Sequence, residues 1–243
     1  MSEVSVGSER IRTRAESAAI GLTAGCLLVF FCLTLLIDTR FVQTADESLV
    51  LATRLSGNTA TPVGPAWLAE LARDVTALGG YLVLTLITVF VWLFLRFERT
   101  KVMANRFVVT VTGGYFLNVL LKTVIARPRP DVVPFLTQIH SLSFPSGHAM
   151  MSTVVFLTLG LMLSEVATRR AVRALVIASP VVIAAAVSLT RVYLGVHFPT
   201  DVVAGLCCGI AWTLGCWLFW RRRDSNREWI HAAKTDSDRS ATG

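Results

Sequence analysis

Three short stretches of the sequence concentrate residues able to hold an anion and exchange protons. KTVIARPRP, residues 122–130, places Arg129 seven residues after Lys122 and directly before Pro130. FPSGHAM, residues 144–150, sets Pro145, Ser146, Gly147 and His148 where a polar loop gives way to an apolar run. RVYLGVHFPTD, residues 191–201, spaces Arg191, His197 and Asp201 at intervals of six and four. Cations hold anionic oxygens through charge-assisted hydrogen bonds, imidazole changes its charge near neutral pH, and a carboxylate can fix the tautomer of a neighbouring ring. Whatever gathers the three stretches must come from the rest of the chain.

Of the 243 residues, 53% are hydrophobic and 16% charged. The mean hydropathy of +0.61 is well above that of an ordinary soluble domain. Six apolar runs, near residues 18–37, 77–95, 107–125, 149–166, 171–190 and 202–220, each approach the roughly 20 residues that cross a hydrocarbon core. Lipid-exposed backbone must satisfy its own hydrogen bonds, so the expected fold is all-α, a single bundle of six transmembrane helices over residues 1–223. The apolar part of the first run is too long for a signal peptide, and no A-x-A site follows it. TAGC at 23–26 makes a poor lipoprotein cleavage site, because Thr23 stands where an aliphatic residue is expected.

Sixteen of the 23 Lys and Arg residues lie in the N-terminal tail, the 96–106 and 167–173 connections and the C-terminal tail, which share one side of a six-span bundle. The positive-inside rule makes that side, with both termini, cytoplasmic; the compact length and short loops suggest a bacterial plasma membrane. The net charge of +7 then reflects topology and attraction to lipid headgroups, and nucleic acid is not expected as a partner. The outer segment 38–76 reads as an insertion. In it SGNTATPVGP separates two flanks of helical periodicity, expected as short amphipathic helices on the outer interface. Residues 224–243 read as a polar, loosely ordered cytoplasmic tail.

The five cysteines, Cys26, Cys32, Cys207, Cys208 and Cys216, all fall inside apolar runs and suit packing better than a disulfide framework or a zinc site. Gly205 and Gly209 form a small-xxx-small face, and Pro180 interrupts the fifth run. His140 and His231 fit no motif.

Each member of the three stretches has an ordinary reading when taken alone. Lys122 can snorkel from a helix end, Arg127 and Arg129 can sit in a solvated loop, Ser146 can be an N-cap, His148 can be structural, and Asp201 can favour a helix N-terminus. Their conjunction changes the reading, because ionisable groups beside a bilayer are costly and these share one depth on the outer side. The ordered pattern K-x6-R-P, P-S-G-H and R-x5-H-x3-D resembles the signature of the type 2 phosphatidic acid phosphatase superfamily, membrane lipid phosphatases related to vanadium haloperoxidases. Thr190 stands where that signature often has Ser, and of the two arginines in RPRP the six-residue spacing selects Arg129.

The resemblance implies a set of roles. His197 would be a nucleophile that forms a phosphohistidine, Asp201 would hold the other ring nitrogen, and His148 would be the general acid and then the base. Lys122, Arg129, Arg191, Ser146 and the Gly147 amide would bind the phosphate oxygens. No metal or other cofactor is expected, and no obligate protein partner is evident. The implied function is hydrolysis of a phosphomonoester or diphosphate lipid at the outer leaflet, with undecaprenyl diphosphate, phosphatidylglycerol phosphate and phosphatidic acid as substrates to weigh. A phosphotransferase using the same phosphohistidine is the alternative among enzymes, and a transporter of anionic lipids the non-enzymatic one; vanadate-dependent halide oxidation fits less well.

Overall fold

A computed structural model describes residues 3–137 and 141–241, with side chains over 13–137 and 141–225. His140, and the side chains of His231 and Trp229, lie outside the described residues. The elements run α1 (Glu3–Leu36), α2 (Arg40–Leu51), β1 (Arg54–Leu55), β2 (Asn58–Pro62), α3 (Ala66–Ala77), α4 (Tyr81–Phe97), α5 (Lys101–Ile125), α6 (Gly147–Val166), α7 (Arg170–Tyr193) and α8 (Pro199–Ala241). Among the described residues, six helical segments are long and apolar enough to cross a membrane: Thr13–Leu36, Ala66–Phe97, Lys101–Ile125, Gly147–Val166, Arg170–Tyr193 and Pro199–Ser225. They coincide with the six apolar runs.

α6 is the centre of the bundle and packs against α7 and α8, while α1 lies along α8 and α4 along α5. The α6–α8 seam is close because α8 presents no side chain there. A Cβ on Gly205 would stand 2.6 Å from the Ser146 carbonyl, and one on Gly209 would stand 2.8 Å from the Met150 carbonyl. Between these helices and α5 lies the main apolar cluster, in which Phe107, Met150, Val154 and Val155 are fully buried. Pro180 inside α7 removes the donor for the Val176 carbonyl; Gly160 of α6 lies against that carbonyl and against the proline ring.

Between α1 and α4 the chain departs from a pair of surface helices joined by a turn. The expected helices are present as α2 and α3, but β1 and β2 form an antiparallel hairpin between them, with Leu55 opposite Asn58. Strands this short, carrying Thr, Asn and Pro, show no alternation from which to read them. α2 buries Asp46 and Val50 on one face, so its inward side carries a carboxylate. α8 runs on as helix to Ala241 where a loosely ordered tail was expected; no Gly or Pro interrupts residues 216–241.

The seam makes a direct prediction. Gly205→Val should overpack α6 against α8 at a cost of about 1–3 kcal/mol, seen as a lower melting temperature of the detergent-purified protein. An unchanged melt would mean that the two backbones are not in contact there.

Candidate active site

α5 ends at Ile125, α6 starts at Gly147, α7 ends at Tyr193 and α8 starts at Pro199, so antiparallel packing brings these four helix ends together. The connections 126–146 and 194–198 cross between them, tied by backbone bonds from Ser143 N to Arg127 O, Ser146 N to Asp201 O and Leu136 N to Leu194 O. All eight residues singled out from the sequence lie at these ends or on the connections.

The three cations are held by protein oxygens. Lys122, on the last turn of α5, is buried and donates to the carbonyls of Leu142 at 2.6 Å and Ser143 at 3.4 Å. Arg129 donates to the carbonyls of Ser141, Leu142 and Val196 and to the Ser141 hydroxyl. Its Nη1 lies 3.2 Å from His197 Nε2. Arg191 is 2% exposed and donates from Nη1 to Thr76 Oγ1 at 3.0 Å, while its Nε and Nη2 have no partner within the protein. Burial draws Arg129 down to about 10 against the opposing pull of Asp201, which leaves it charged at neutral pH.

His197 is 1% exposed. Its two nitrogens face different surroundings: Nε2 faces Arg129, and Nδ1 lies 3.3 Å from Ser143 Oγ and 3.5 Å from Asp201 Oδ2. Desolvation holds the ring down to about 3, outweighing the raising effect of its bond to Asp201, so the imidazole is neutral at pH 7. Asp201 accepts at Oδ2 from Ser143 Oγ and from Phe198 N, and at Oδ1 from Arg127 Nη1 at 2.6 Å. A neutral ring whose inner nitrogen is fixed by a carboxylate can offer its outer nitrogen to an electrophile.

Ser146 stands at the N-cap of α6, as expected, but its hydroxyl makes no capping bond and, although fully buried, has no partner within the protein. A Cβ on Gly147 would meet the Tyr81 hydroxyl at 2.7 Å and Asn118 Oδ1 at 3.1 Å, so a side chain does not fit at this position. The His148 ring lies edge-on to Tyr81, 6.4 Å between centroids, and within electrostatic reach of Arg191, His197, Arg129 and Lys122. Buried donors without acceptors on Ser146 and Arg191, near Lys122 and Arg129, make an arrangement that could hold a multiply charged oxyanion.

Several contributors lay outside the three motifs. Ser143, Thr76, Asn118, Tyr81, Asp46 and Arg54 carry no distinctive spacing, and the contacts of Asp46 with Arg127 and Thr200 span 81 and 154 residues. Arg54 is buried against Gly195 and donates to the Tyr193 carbonyl at the C-terminus of α7, where the helix dipole favours a cation. Among the described residues, no group of three or more His, Cys, Asp or Glu side chains gathers to hold a metal ion.

A family model described as the PAP2 superfamily matches residues 103–225, just over half of the chain and the part that holds all eight site residues. The chain belongs to this superfamily. Phosphatidylglycerophosphatase B of Bacillus subtilis is 34% identical over 75% of this chain and 87% of its own. An undecaprenyl-diphosphatase of Sulfolobus acidocaldarius is 30% identical over 52% of this chain and 56% of its own. The crystal structure of a transmembrane PAP2-type phosphatidylglycerolphosphate phosphatase from Bacillus subtilis superposes with a TM-score of 0.75 at 30% identity, covering 82% of this chain and 96% of that one. The protein is thus a multi-pass integral membrane PAP2 phosphatase, a hydrolase of the lipid phosphatase class.

The suppressed basicity of His197 has a consequence for stability. An unfolded histidine takes up a proton near pH 6.5, whereas the folded ring resists protonation down to about 3. The unfolded chain therefore binds more protons in this window, and this residue's contribution to stability falls as pH drops from about 6.5 towards 3. The melting temperature of wild type should drop further between pH 7 and pH 4.5 than that of His197→Gln; equal drops would show that the ring is not withheld from protons.

Proposed function

We propose that this PAP2 phosphatase removes the terminal phosphate from a lipid phosphate or diphosphate at the outer leaflet of a bacterial plasma membrane, through a phosphohistidine on His197. The observation that carries this reading is the two-sided setting of His197, with Nδ1 turned to Asp201 and Nε2 turned to Arg129 beside the unpartnered donors of Arg191 and Ser146.

A phosphate seated among Lys122, Arg129, Arg191, Ser146 and the Gly147 amide places phosphorus before Nε2. The Nε2 lone pair forms the N–P bond as the P–O bond to the lipid breaks, and His148 gives its proton to the departing oxygen. Water then attacks phosphorus, His148 takes its proton, and the N–P bond breaks to return neutral His197 and inorganic phosphate. Asp201 stabilises positive charge on the ring while the N–P bond exists. No step draws on a metal ion.

The relatives' names support undecaprenyl diphosphate and phosphatidylglycerol phosphate as substrates to test beside phosphatidic acid. The outer-leaflet placement rests on the excess of Lys and Arg at the opposite end of the bundle.

Purified protein in detergent with EDTA should release phosphate from at least one lipid of this panel, and His197→Ala should lower the rate by about 10³-fold or more. Activity restored only by a divalent ion, or near-normal rates in the variant, would overturn the mechanism. Transfer of phosphate to a second lipid or sugar, instead of its release, would identify a phosphotransferase. Placement is tested separately: Thr59→Cys in the exposed hairpin should react with a membrane-impermeant maleimide added outside intact cells, and labelling only after permeabilisation would reverse the orientation.

A further inference from the structure

The insertion between α1 and α4 meets Arg191 through Thr76 of α3, and it reaches the His197 side of the site through a buried carboxylate of α2. Asp46 of α2 is 1% exposed and accepts three bonds, from Arg127 Nη2 at 2.8 Å, from Thr200 N at 3.1 Å and from the Thr200 hydroxyl. Arg127, 5% exposed, donates its other terminal nitrogen to Asp201 Oδ1 at 2.6 Å and to Thr200 Oγ1 at 2.8 Å. Its guanidinium also lies over the Phe198 ring, 4.4 Å from the centroid. The first arginine of RPRP therefore does not enter the phosphate cradle; it joins two buried carboxylates, one of which faces His197.

The charges in this group have a definite sum. Asp46 and Asp201 carry two negative charges and Arg127 one positive, so the buried cluster keeps one net negative charge beside His197 Nδ1. With Arg127 and Asp201 alone the cluster would be neutral. Nδ1 is the side of the ring on which positive charge must be stabilised once Nε2 bonds to phosphorus. A negative charge held there contributes more as the transition state forms than it does to the neutral ring of the ground state. The same bonds fix geometry: Thr200, next to Asp201 in the first turn of α8, is held by Asp46 at its amide and its hydroxyl.

From this we propose that Asp46 is a positioning residue of the phosphatase reaction: through Arg127 and Thr200 it holds Asp201 in register with His197 and keeps the cluster negative. This rests on His197 being the nucleophile. Asp46 itself touches neither the cradle cations nor His197, so its removal should slow phosphoryl transfer without weakening capture of the substrate.

The experiment compares wild type, Asp46→Asn, Thr200→Val and His197→Ala in detergent on whichever of undecaprenyl diphosphate, phosphatidylglycerol phosphate and phosphatidic acid the wild type hydrolyses fastest. Asp46→Asn keeps the size of the side chain and removes its charge; Thr200→Val removes only the hydroxyl between Asp46 and Arg127. Asp46→Asn should lower kcat about 10- to 100-fold with KM within twofold of wild type, and Thr200→Val should lower kcat by a smaller factor, also at constant KM. Less phosphohistidine should accumulate in an acid-labile, base-stable assay on rapid quenching of Asp46→Asn. Wild-type kcat in Asp46→Asn, or a rise in KM without a fall in kcat, would overturn the proposal. Where Asp46→Asn does not yield monodisperse protein, Thr200→Val decides, and unchanged kcat there overturns it. An active wild type with an active His197→Ala would instead refute the nucleophile, a result separate from failure of the Asp46 variants.

Discussion

Three cations within reach of one another, Lys122 and Arg191 buried and Arg129 half-buried, impose the constraint around which this end of the bundle is built. Lys122, Arg129 and Arg191 repel each other, and burial strips Lys122 and Arg191 of most of their water. Part of the cost is offset by carbonyls of the 141–143 segment and Val196, and by Asp201. The compensation is incomplete: Arg191 keeps two nitrogens without an acceptor, and the Ser146 hydroxyl likewise has none. On the proposed reading, an anion with several oxygens would supply what the fold leaves out, and a phosphate ester would bring both the charge and the acceptors.

Helix ends are where a membrane bundle can meet this demand. Side chains there reach the interface without crossing hydrocarbon, and the non-helical backbone of the connections presents carbonyls that a continuous helix would consume internally. The 126–146 connection uses that freedom, lending its carbonyls to Lys122 and Arg129 while its Ser143 side chain supports Asp201. α6 and α8 begin at this level with Gly147 and Pro199, and the first-turn amide of Thr200 in α8 is taken up by Asp46.

Much of this was legible in the sequence, for reasons that differ by residue. The spans were readable because apolar length reports directly on bilayer thickness, and the site was readable because charged side chains at the ends of such spans need a purpose. Spacing separated Arg129 from Arg127, and the structure gives the reason in contacts: the former lies against His197, the latter is enclosed by carboxylates. The inward carboxylate of Asp46 was hidden because one acidic residue on an amphipathic helix is indistinguishable from a solvated one until its partner 81 residues away is known. Ser146 was placed at its N-cap correctly, yet local pattern did not reveal that its hydroxyl is left without a bond. The hairpin escaped because its strands are too short to carry a period.

The glycine seam between α6 and α8 fixes more than packing. His148 rides on the first turn of α6, and Asp201 on the first turn of α8 directly after His197, so backbone contact between these helices sets the separation of the two imidazoles. α4 is held differently: Leu84 is its single buried residue, and Leu82, Leu86 and Phe90 face outward. α4 therefore meets the reacting groups at one end, through Tyr81 against Gly147 and His148, while the rest of its outward face carries no residue that the site depends on. Changes along that outward face can alter the surface α4 offers to lipid without moving the imidazoles, whose spacing the glycine seam sets.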